Sequence, residues 1–335
     1  MSRAGVRAIS PGDKVAIFWG GGLGDVLTLR PMLLALDAVL DTPPSFFTTS
    51  THLQSVFSEL GLRVNTHILP VQPTAALDVF RRLRIRFDWL YLGPYPRIKT
   101  RMLAHVIRPR RIWCVRHSGV DPFLGEQVLA DVEALGLRGP DGTDQPYGGK
   151  WHWSSGPEPA EAPHPYLVLH PGAKERWETT RWPEAYWAEL IRKIVLETDF
   201  ELRLVGVPSE RPQLEAMLEK SELGASSRVR VQADISLLQL AATLDCSSGV
   251  ICHNSGILHL AAMLGKGTVA VTGSSAIFWR PPYAHVANVT SGACNIACNQ
   301  YKCPVPFFHA KCIRRLQVVD VMAAVREKLL AGMGR

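Results

Sequence analysis

The sequence has no apolar run long enough to cross a bilayer; the best candidate, Gly256 to Val271, is interrupted by His259 and Lys266. Nor does the stretch from Met1 to Lys14 hold the apolar segment of a secretory leader, so the expected setting is the cytoplasm. No repeat of roughly 20–50 residues is visible, which excludes a solenoid. The 27 Gly and 24 Pro keep no fixed period, which excludes a fibre. Charged residues make up only 20% of the 335, against 47% hydrophobic, so disorder is excluded and a sizeable core is available. A length of 335 residues suits two domains.

Acid is scarce in one place. Between Arg81 and Arg116 the only carboxylate is Asp88, set against eleven Lys and Arg, among them Arg108, Arg110 and Arg111. This local excess is larger than the net charge of the whole chain, +7. It reads either as a face for an anionic partner, such as a phosphorylated lipid or a membrane surface, or as solvated helix faces. Nucleic acid fits least, because no aromatic-basic interleaving and no helix-turn-helix pattern accompanies the charge.

The seven cysteines include no tight C-x2-C pair. Cys114, Cys246 and Cys252 lie in apolar surroundings and read as small core residues. The other four crowd into Cys294-x3-Cys298-x4-Cys303-x8-Cys312. In a reducing compartment these are free thiols or a tetrahedral structural site for Zn or Fe, rather than a disulfide frame.

The organisation is strand and helix in alternation. Lys14–Trp19, Phe46–Thr49, Trp89–Leu92 and Ile112–Val115 read as strands in the first half. A helix is expected after Gly20–Asp25, with Leu29, Leu33, Leu36 and Leu40 near one face and Pro31 in its first turn, and another over His52–Leu60. The stretch Gly139–Pro165, rich in Gly and Pro, reads as a linker, dividing residues 1–150 from 151–335. Alternation then restarts, with strands at Tyr166–Leu169, Glu201–Val207, Arg228–Val231, Val250–Cys252 and Thr268–Val271. Helices are expected at Glu184–Glu197, Arg211–Lys220, Ser236–Leu244, Ile257–Leu264 and Val318–Leu330. The class is α/β: two Rossmann-like domains, with ligands expected in the cleft between them.

Three segments carry the chemistry. No frame within Gly20–Asp25 completes the dinucleotide fingerprint G-x-G-x-x-G, because Asp25 stands where its last glycine belongs. What remains is a close backbone approach, with Gly22 and Gly24, and a carboxylate before a helix; taken alone, Asp25 reads first as a helix cap and second as a general base. The second segment, His170-Pro171-Gly172-Ala173 followed by Lys174, Arg176, Arg181, Trp182 and Pro183, offers small residues and cations that suit a diphosphate. The third, His253-Asn254-Ser255-Gly256 leading to His259, places free N–H groups and a hydroxyl at a helix start, where phosphate oxygens bind. His259 reads as a core histidine alone and as a second anion contact with that turn.

In this order and spacing the segments resemble glycosyltransferase family 9, the ADP-heptose heptosyltransferases. The likeness is carried by Gly24-Asp25-Val26-Leu27, by Pro171-Gly172-Ala173 with Arg181-Trp182-Pro183, and by Ser255-Gly256-Ile257-Leu258-His259-Leu260-Ala261-Ala262. It implies a GT-B fold, an N-terminal domain for the acceptor and a C-terminal domain for the ADP-sugar. It also implies inverting chemistry without a metal or other cofactor, with Asp25 as base and Glu210 on the nucleoside ribose. The implied acceptor is an anionic glycolipid of the lipopolysaccharide core, met by Gly22, Gly24, Arg108, Arg110 and Arg111, with peripheral contact at the inner face of the membrane. Two positions depart from the family pattern: Thr180 stands for a lysine and Asn254 for an aspartate. A small-molecule or protein acceptor, a nucleotide-sugar epimerase of the same architecture, and a non-catalytic binding protein are the alternatives.

Overall fold

The computed structural model describes residues 7–83, 85–93, 106–115, 123–139, 145–149, 151, 164–172, 181–224, 228–272, 279–293, 303 and 311–331. The chain divides into two compact units, Met1–Trp151 and His152–Arg335.

The first unit is a five-stranded sheet in the order β3-β2-β1-β4-β5, every described pair parallel. Its strands are β1 (Val15–Phe18), β2 (Ser45–Thr48), β3 (Asn65–Ile68), β4 (Trp89–Leu92) and β5 (Arg111–Cys114). β1, β2 and β4 are buried along their whole length, as parallel strands covered on both faces must be. Connecting them are α1 (Leu23–Val39), α2 (Leu53–Glu59) and α3 (Pro73–Leu83), and α4 (Leu124–Ala134) follows β5. One face of the sheet packs Phe18, Phe47, Leu90 and Leu92 against Val79, Phe80 and Leu83 of α3.

The second unit is a six-stranded parallel sheet, β11-β10-β9-β6-β7-β8. Its strands are β6 (Tyr166–His170), β7 (Glu201–Val205), β8 (Val229–Gln232), β9 (Gly249–His253), β10 (Thr268–Val271) and β11 (Val286–Val289). Its helices are α5 (Glu184–Glu197), α6 (Arg211–Lys220), α7 (Leu237–Asp245) and α8 (Gly256–Met263), then a single turn at Lys311–Arg314, and α9 (Val318–Val325). Trp187, Leu190, Ile191 and Ile194 of α5 lie fully buried with Val321, Met322 and Val325 of α9 in one apolar cluster. Full burial of each such side chain contributes about 1.5–3 kcal/mol.

Both sheets reverse strand order at one point: between β1 and β4 in the first unit, and between β6 and β9 in the second. At such points the connections leave in opposite directions and a crevice opens beyond the carboxyl ends of the strands. The Gly20–Asp25 loop leaves β1 there, and Gly172 and Ser255 follow β6 and β9 there.

Several expectations are corrected. α1 begins at Leu23, inside the glycine stretch, so Pro31 sits in the helix interior and not in its first turn. It cannot donate to the Leu27 carbonyl, and an interior proline costs about 3 kcal/mol or more unless its surroundings compensate. Residues 145–149 and 151, inside the expected linker, pack on the first unit: Tyr147 and Trp151 are buried, and the Arg30 guanidinium donates to the carbonyls of Tyr147 at 2.6 Å and Gly148 at 3.0 Å. Cys252 is buried as expected, but Cys114 and Cys246 are exposed: one lies on edge strand β5 and the other caps the end of α7. The last helix is α-helical only to Val325, and continues to Leu330 as a wider turn.

Candidate functional site

In the first unit the loop Gly20–Gly22 wraps around one carboxylate. Asp25 Oδ2 accepts the N–H of Gly22 at 2.7 Å, an acid in the first helical turn where the helix dipole favours negative charge. Its carbonyl accepts the Trp19 indole N–H at 2.8 Å and the Thr28 hydroxyl at 2.9 Å. A Cβ on Gly20 would stand 2.2 Å from Asp25 Cγ, and one on Gly21 would stand 2.3 Å from Ser50 Oγ. Ser50 in turn donates to the Gly21 carbonyl at 2.9 Å. The glycines are there because the carboxylate and the hydroxyl occupy the space a side chain would need. Asp25 therefore caps α1, and it is half-buried at the carboxyl edge of the sheet.

Arg108, Arg110 and Arg111 are not at that edge. Arg111 is level with Trp89, and Trp89 with Val15, so these cations lie at the amino ends of the strands. Four strand residues separate the two edges, roughly 10 Å. Arg110 pairs with Asp88 at 3.2 Å, and the Arg111 guanidinium lies over the Trp89 ring, 5.4 Å from its centroid. Arg108 is exposed, with a left-handed backbone at φ 46°. Of the residues expected on the acceptor side, Gly22 and Gly24 lie at the carboxyl edge with Asp25, and Arg108, Arg110 and Arg111 at the amino edge.

In the second unit, four residues from three segments meet beyond β6 and β9. Ser255, the residue before α8, brings its hydroxyl oxygen 3.2 Å from His170 Nδ1. His170 Nε2 is 3.9 Å from Glu210 Oε2, within charge attraction but beyond a formed hydrogen bond. The same carboxylate oxygen accepts the Val207 N–H at 2.9 Å. Burial alone would raise the Glu210 carboxyl; the neighbouring His170 imidazole, the Val207 N–H and the Arg181 charge together outweigh it and hold the group below its ordinary range.

His253, at the end of β9, fastens the Arg181-Trp182-Pro183 motif to this edge. Its Nε2 accepts the Trp182 backbone N–H at 2.9 Å and the Trp187 indole N–H at 3.2 Å. Two donors on one nitrogen leave the ring hydrogen on Nδ1, which faces the Gly172 carbonyl at 3.4 Å. Burial above all pushes its pKa down to about 3, so this imidazole is neutral. His259 is likewise pushed down to about 3 by burial; it lies inside the packed face of α8, edge-on to Trp279 with ring centroids 6.2 Å apart. Its charge is therefore not available to an anion near neutral pH.

Thus Pro171, Gly172, Arg181, Glu210, Asn254, Ser255 and Gly256 are among the described residues of this unit, while Ala173, Lys174, Arg176 and Thr180 lie outside them. His170 and His253 stand inside segments that sequence reasoning marks, but it gives neither a role. The available signal was position: each ends a strand, in adjacent parallel partners, inside segments already marked for the turns that follow. Of the late cysteines, Cys294 and Cys298 lie outside the described residues, Cys303 is half-buried and Cys312 buried. Among the described residues no cluster of His, Cys, Asp or Glu could hold a metal, and no helix is long and apolar enough to cross a membrane.

Residues 145–309 match the family model described as glycosyltransferase family 9 (heptosyltransferase). Lipopolysaccharide heptosyltransferase 2 of Salmonella typhimurium is 28% identical over 127 residues, which is 37% of this chain and 36% of the relative. The aligned stretch thus spans about a third of that curated relative's length. Among solved structures, the glycosyl transferase family 9 protein of Veillonella parvula superposes with a TM-score of 0.71 at 16% identity, covering 97% of this chain and 99% of that one. The ADP-heptose lps heptosyltransferase II of E. coli gives 0.62 at 14% identity, covering 95% and 99%. The iron-containing dodecameric glycosyltransferase TibC of enterotoxigenic E. coli gives 0.57 at 12%, covering 97% and 78%. The fold is GT-B. The family match falls on the segment that holds Gly172, Glu210 and Ser255, so residues 145–309 belong to glycosyltransferase family 9.

Proposed function

We propose that this protein is an inverting heptosyltransferase, moving a heptose from an ADP-sugar to an acceptor hydroxyl, with the lipopolysaccharide core as acceptor. The reading is carried by the convergence of Gly172, Glu210 and Ser255 at the strand-order reversal of the second sheet, in the segment that matches the family. Glu210, ionised and partly exposed, is suited to accept from a ribose hydroxyl. The N–H groups at the start of α8, with the Ser255 hydroxyl, are suited to the diphosphate. In the transfer step the Asp25 carboxylate takes the proton of the acceptor hydroxyl. The oxygen then attacks the anomeric carbon, the bond to the diphosphate oxygen breaks on the opposite side, and ADP leaves with that electron pair. The negative charge that develops on the leaving group is met by the α8 N–H groups and Arg181, with no metal in the step.

Asn254 stands where the family pattern has an aspartate, so this site repels a diphosphate less than its relatives would. The reading places the protein in the cytoplasm, in contact with the inner face of the membrane where such an acceptor is displayed. Mass spectrometry of products from ADP-heptose, other nucleotide sugars and core acceptors tests it. A heptose added to an acceptor, with ADP released one for one, is expected. Turnover of the donor to an epimer or hydrolysis alone would replace the reading.

A further inference from the structure

Among the described residues, His170 is the one titratable side chain placed between the carboxylate of Glu210 and the hydroxyl of Ser255. It is buried at 7% exposure, with Nδ1 3.2 Å from Ser255 Oγ and Nε2 3.9 Å from Glu210 Oε2. The groups facing it from each packed element can be named. From the β7 side it meets Glu210. From β9 it meets the neutral ring of His253, and Cys252, its register partner, a buried thiol pushed well above its usual range. Arg181 acts on both Glu210 and His253.

With the ring neutral, the carboxylate favours the tautomer that carries its hydrogen on Nε2. Nδ1 then has only a lone pair, and the Ser255 hydroxyl must donate to it. That leaves Ser255 Oγ with lone pairs alone to offer an incoming phosphate, which repel it. A second ring proton reverses this. Nδ1–H donates to Ser255 Oγ, the hydroxyl hydrogen swings free to donate to a phosphate oxygen, and the imidazolium adds an opposing charge two hydrogen bonds from the anion.

We propose that His170 is a proton-accepting positioning residue of the nucleotide-diphosphate site, taking one proton from solvent when the diphosphate binds and giving it back when the nucleotide departs. This inference rests on the donor-site reading above. It makes diphosphate affinity fall as pH rises, because deprotonation returns the Ser255 hydroxyl to Nδ1. It also explains why Gly172 is needed beside the ring: a Cβ there would stand 2.8 Å from His170 Nε2.

The test uses the full chain and ADP-glucose, whose diphosphate has no proton to gain or lose near neutrality. Calorimetric titration in two buffers of different ionisation enthalpy, from pH 6 to pH 8.5, counts the protons taken up. Proton uptake is expected in the wild type, with affinity falling by up to about tenfold per pH unit, the limit for one linked proton. In His170→Gln, binding should weaken several-fold, uptake should vanish and the pH profile should flatten. Binding of ADP-glucose by the wild type with no uptake and no pH dependence overturns the inference, whatever the variant does. Equal uptake in wild type and a folded His170→Gln overturns it too. Failure of both ADP and ADP-glucose to bind at any pH overturns the donor-site reading itself, and this inference with it.

Discussion

A methyl group at residue 172 would stand 2.4 Å from Oε1 of Glu210, closer than a Cβ comes to any neighbour in folded proteins. A second glycine closes the other side, since a Cβ on Gly206 would lie 2.8 Å from Oε2 of the same carboxylate. Glu210 is thus held in a slot between two backbones and fixed by the Val207 N–H. Gly172→Ala is expected to push the carboxylate out of this slot and raise the Kd for ADP by tenfold or more, while the protein stays folded. Titration of the purified variant with ADP checks it; an unchanged Kd would remove Glu210 from the nucleotide site.

Asp25→Asn separates the cap from the base. The amide oxygen can still accept the Gly22 N–H, so α1 keeps its start and thermal stability should change little. Loss of a general base typically slows a reaction by about 10²–10⁴. Transfer should fall by that factor with ADP affinity unaltered, because ADP is assigned to the other unit. Activity within a few-fold of wild type would leave Asp25 as a cap alone.

Much of this was legible in the sequence, and the failures have physical causes. The buried strands β1, β4, β6 and β10 announce themselves as unbroken apolar runs, as parallel strands with two covered faces do. The strands at two sheet edges do not. β3 reads Asn-Thr-His-Ile and β11 reads Val-Ala-Asn-Val, with one covered residue or none, so no apolar run marks them. The glycine loop and the Ser255 turn were found from residue type and position. His170 and His253 received no role because a histidine ending an apolar strand looks incidental until the register sets it beside a partner strand's turn. For Arg108, Arg110 and Arg111 the charge is visible in the sequence, but which end of a strand carries it is not.

The four late cysteines give a clean test of metal content. Cys312 is buried and Cys303 half-buried. These cysteines are expected to be reduced thiols, and elemental analysis of protein prepared without chelator to find no stoichiometric metal; one Zn or Fe per chain, lost on Cys303→Ser with a fall in melting temperature, would assign a structural metal site instead. Because no metal enters the proposed transfer step, chelation that spares the fold should leave the kcat of the remaining folded enzyme intact. Metal-free protein of full stability would assign these residues as plain thiols.

Neutralising Arg108, Arg110 and Arg111 together should leave the acceptor KM within about twofold of wild type. These side chains sit at the amino edge of the first sheet, while Asp25 lies at the carboxyl edge. Arg110 instead shields Asp88, which accepts the Lys14 N–H at 3.0 Å, and Arg111 covers Trp89. Removing exposed pairs of this kind costs little, typically ~0–1 kcal/mol. A large, salt-sensitive rise in KM would bring the acceptor to this edge after all.

Stability should fall on the acid side of neutrality before ordinary carboxylates titrate. His253 and His259 are neutral in the folded protein, both pushed down to about 3, whereas in the unfolded chain they take up protons near their ordinary value of about 6.5. Below that value the unfolded state binds more protons than the native one, so their contribution is present above pH 6.5 and is lost as pH drops toward 3. At pH 5 each such group removes about 2 kcal/mol. The melting temperature should therefore drop by several degrees between pH 7.5 and pH 5. His253→Gln is the discriminating variant: its amide oxygen can accept from the Trp182 and Trp187 N–H groups and it does not titrate. It should be somewhat less stable at pH 7.5 yet lose less on acidification. A slope equal to that of the wild type would mean that His253 is not held neutral, and that the anchoring of the Arg181-Trp182-Pro183 motif through its Nε2 lone pair is wrong.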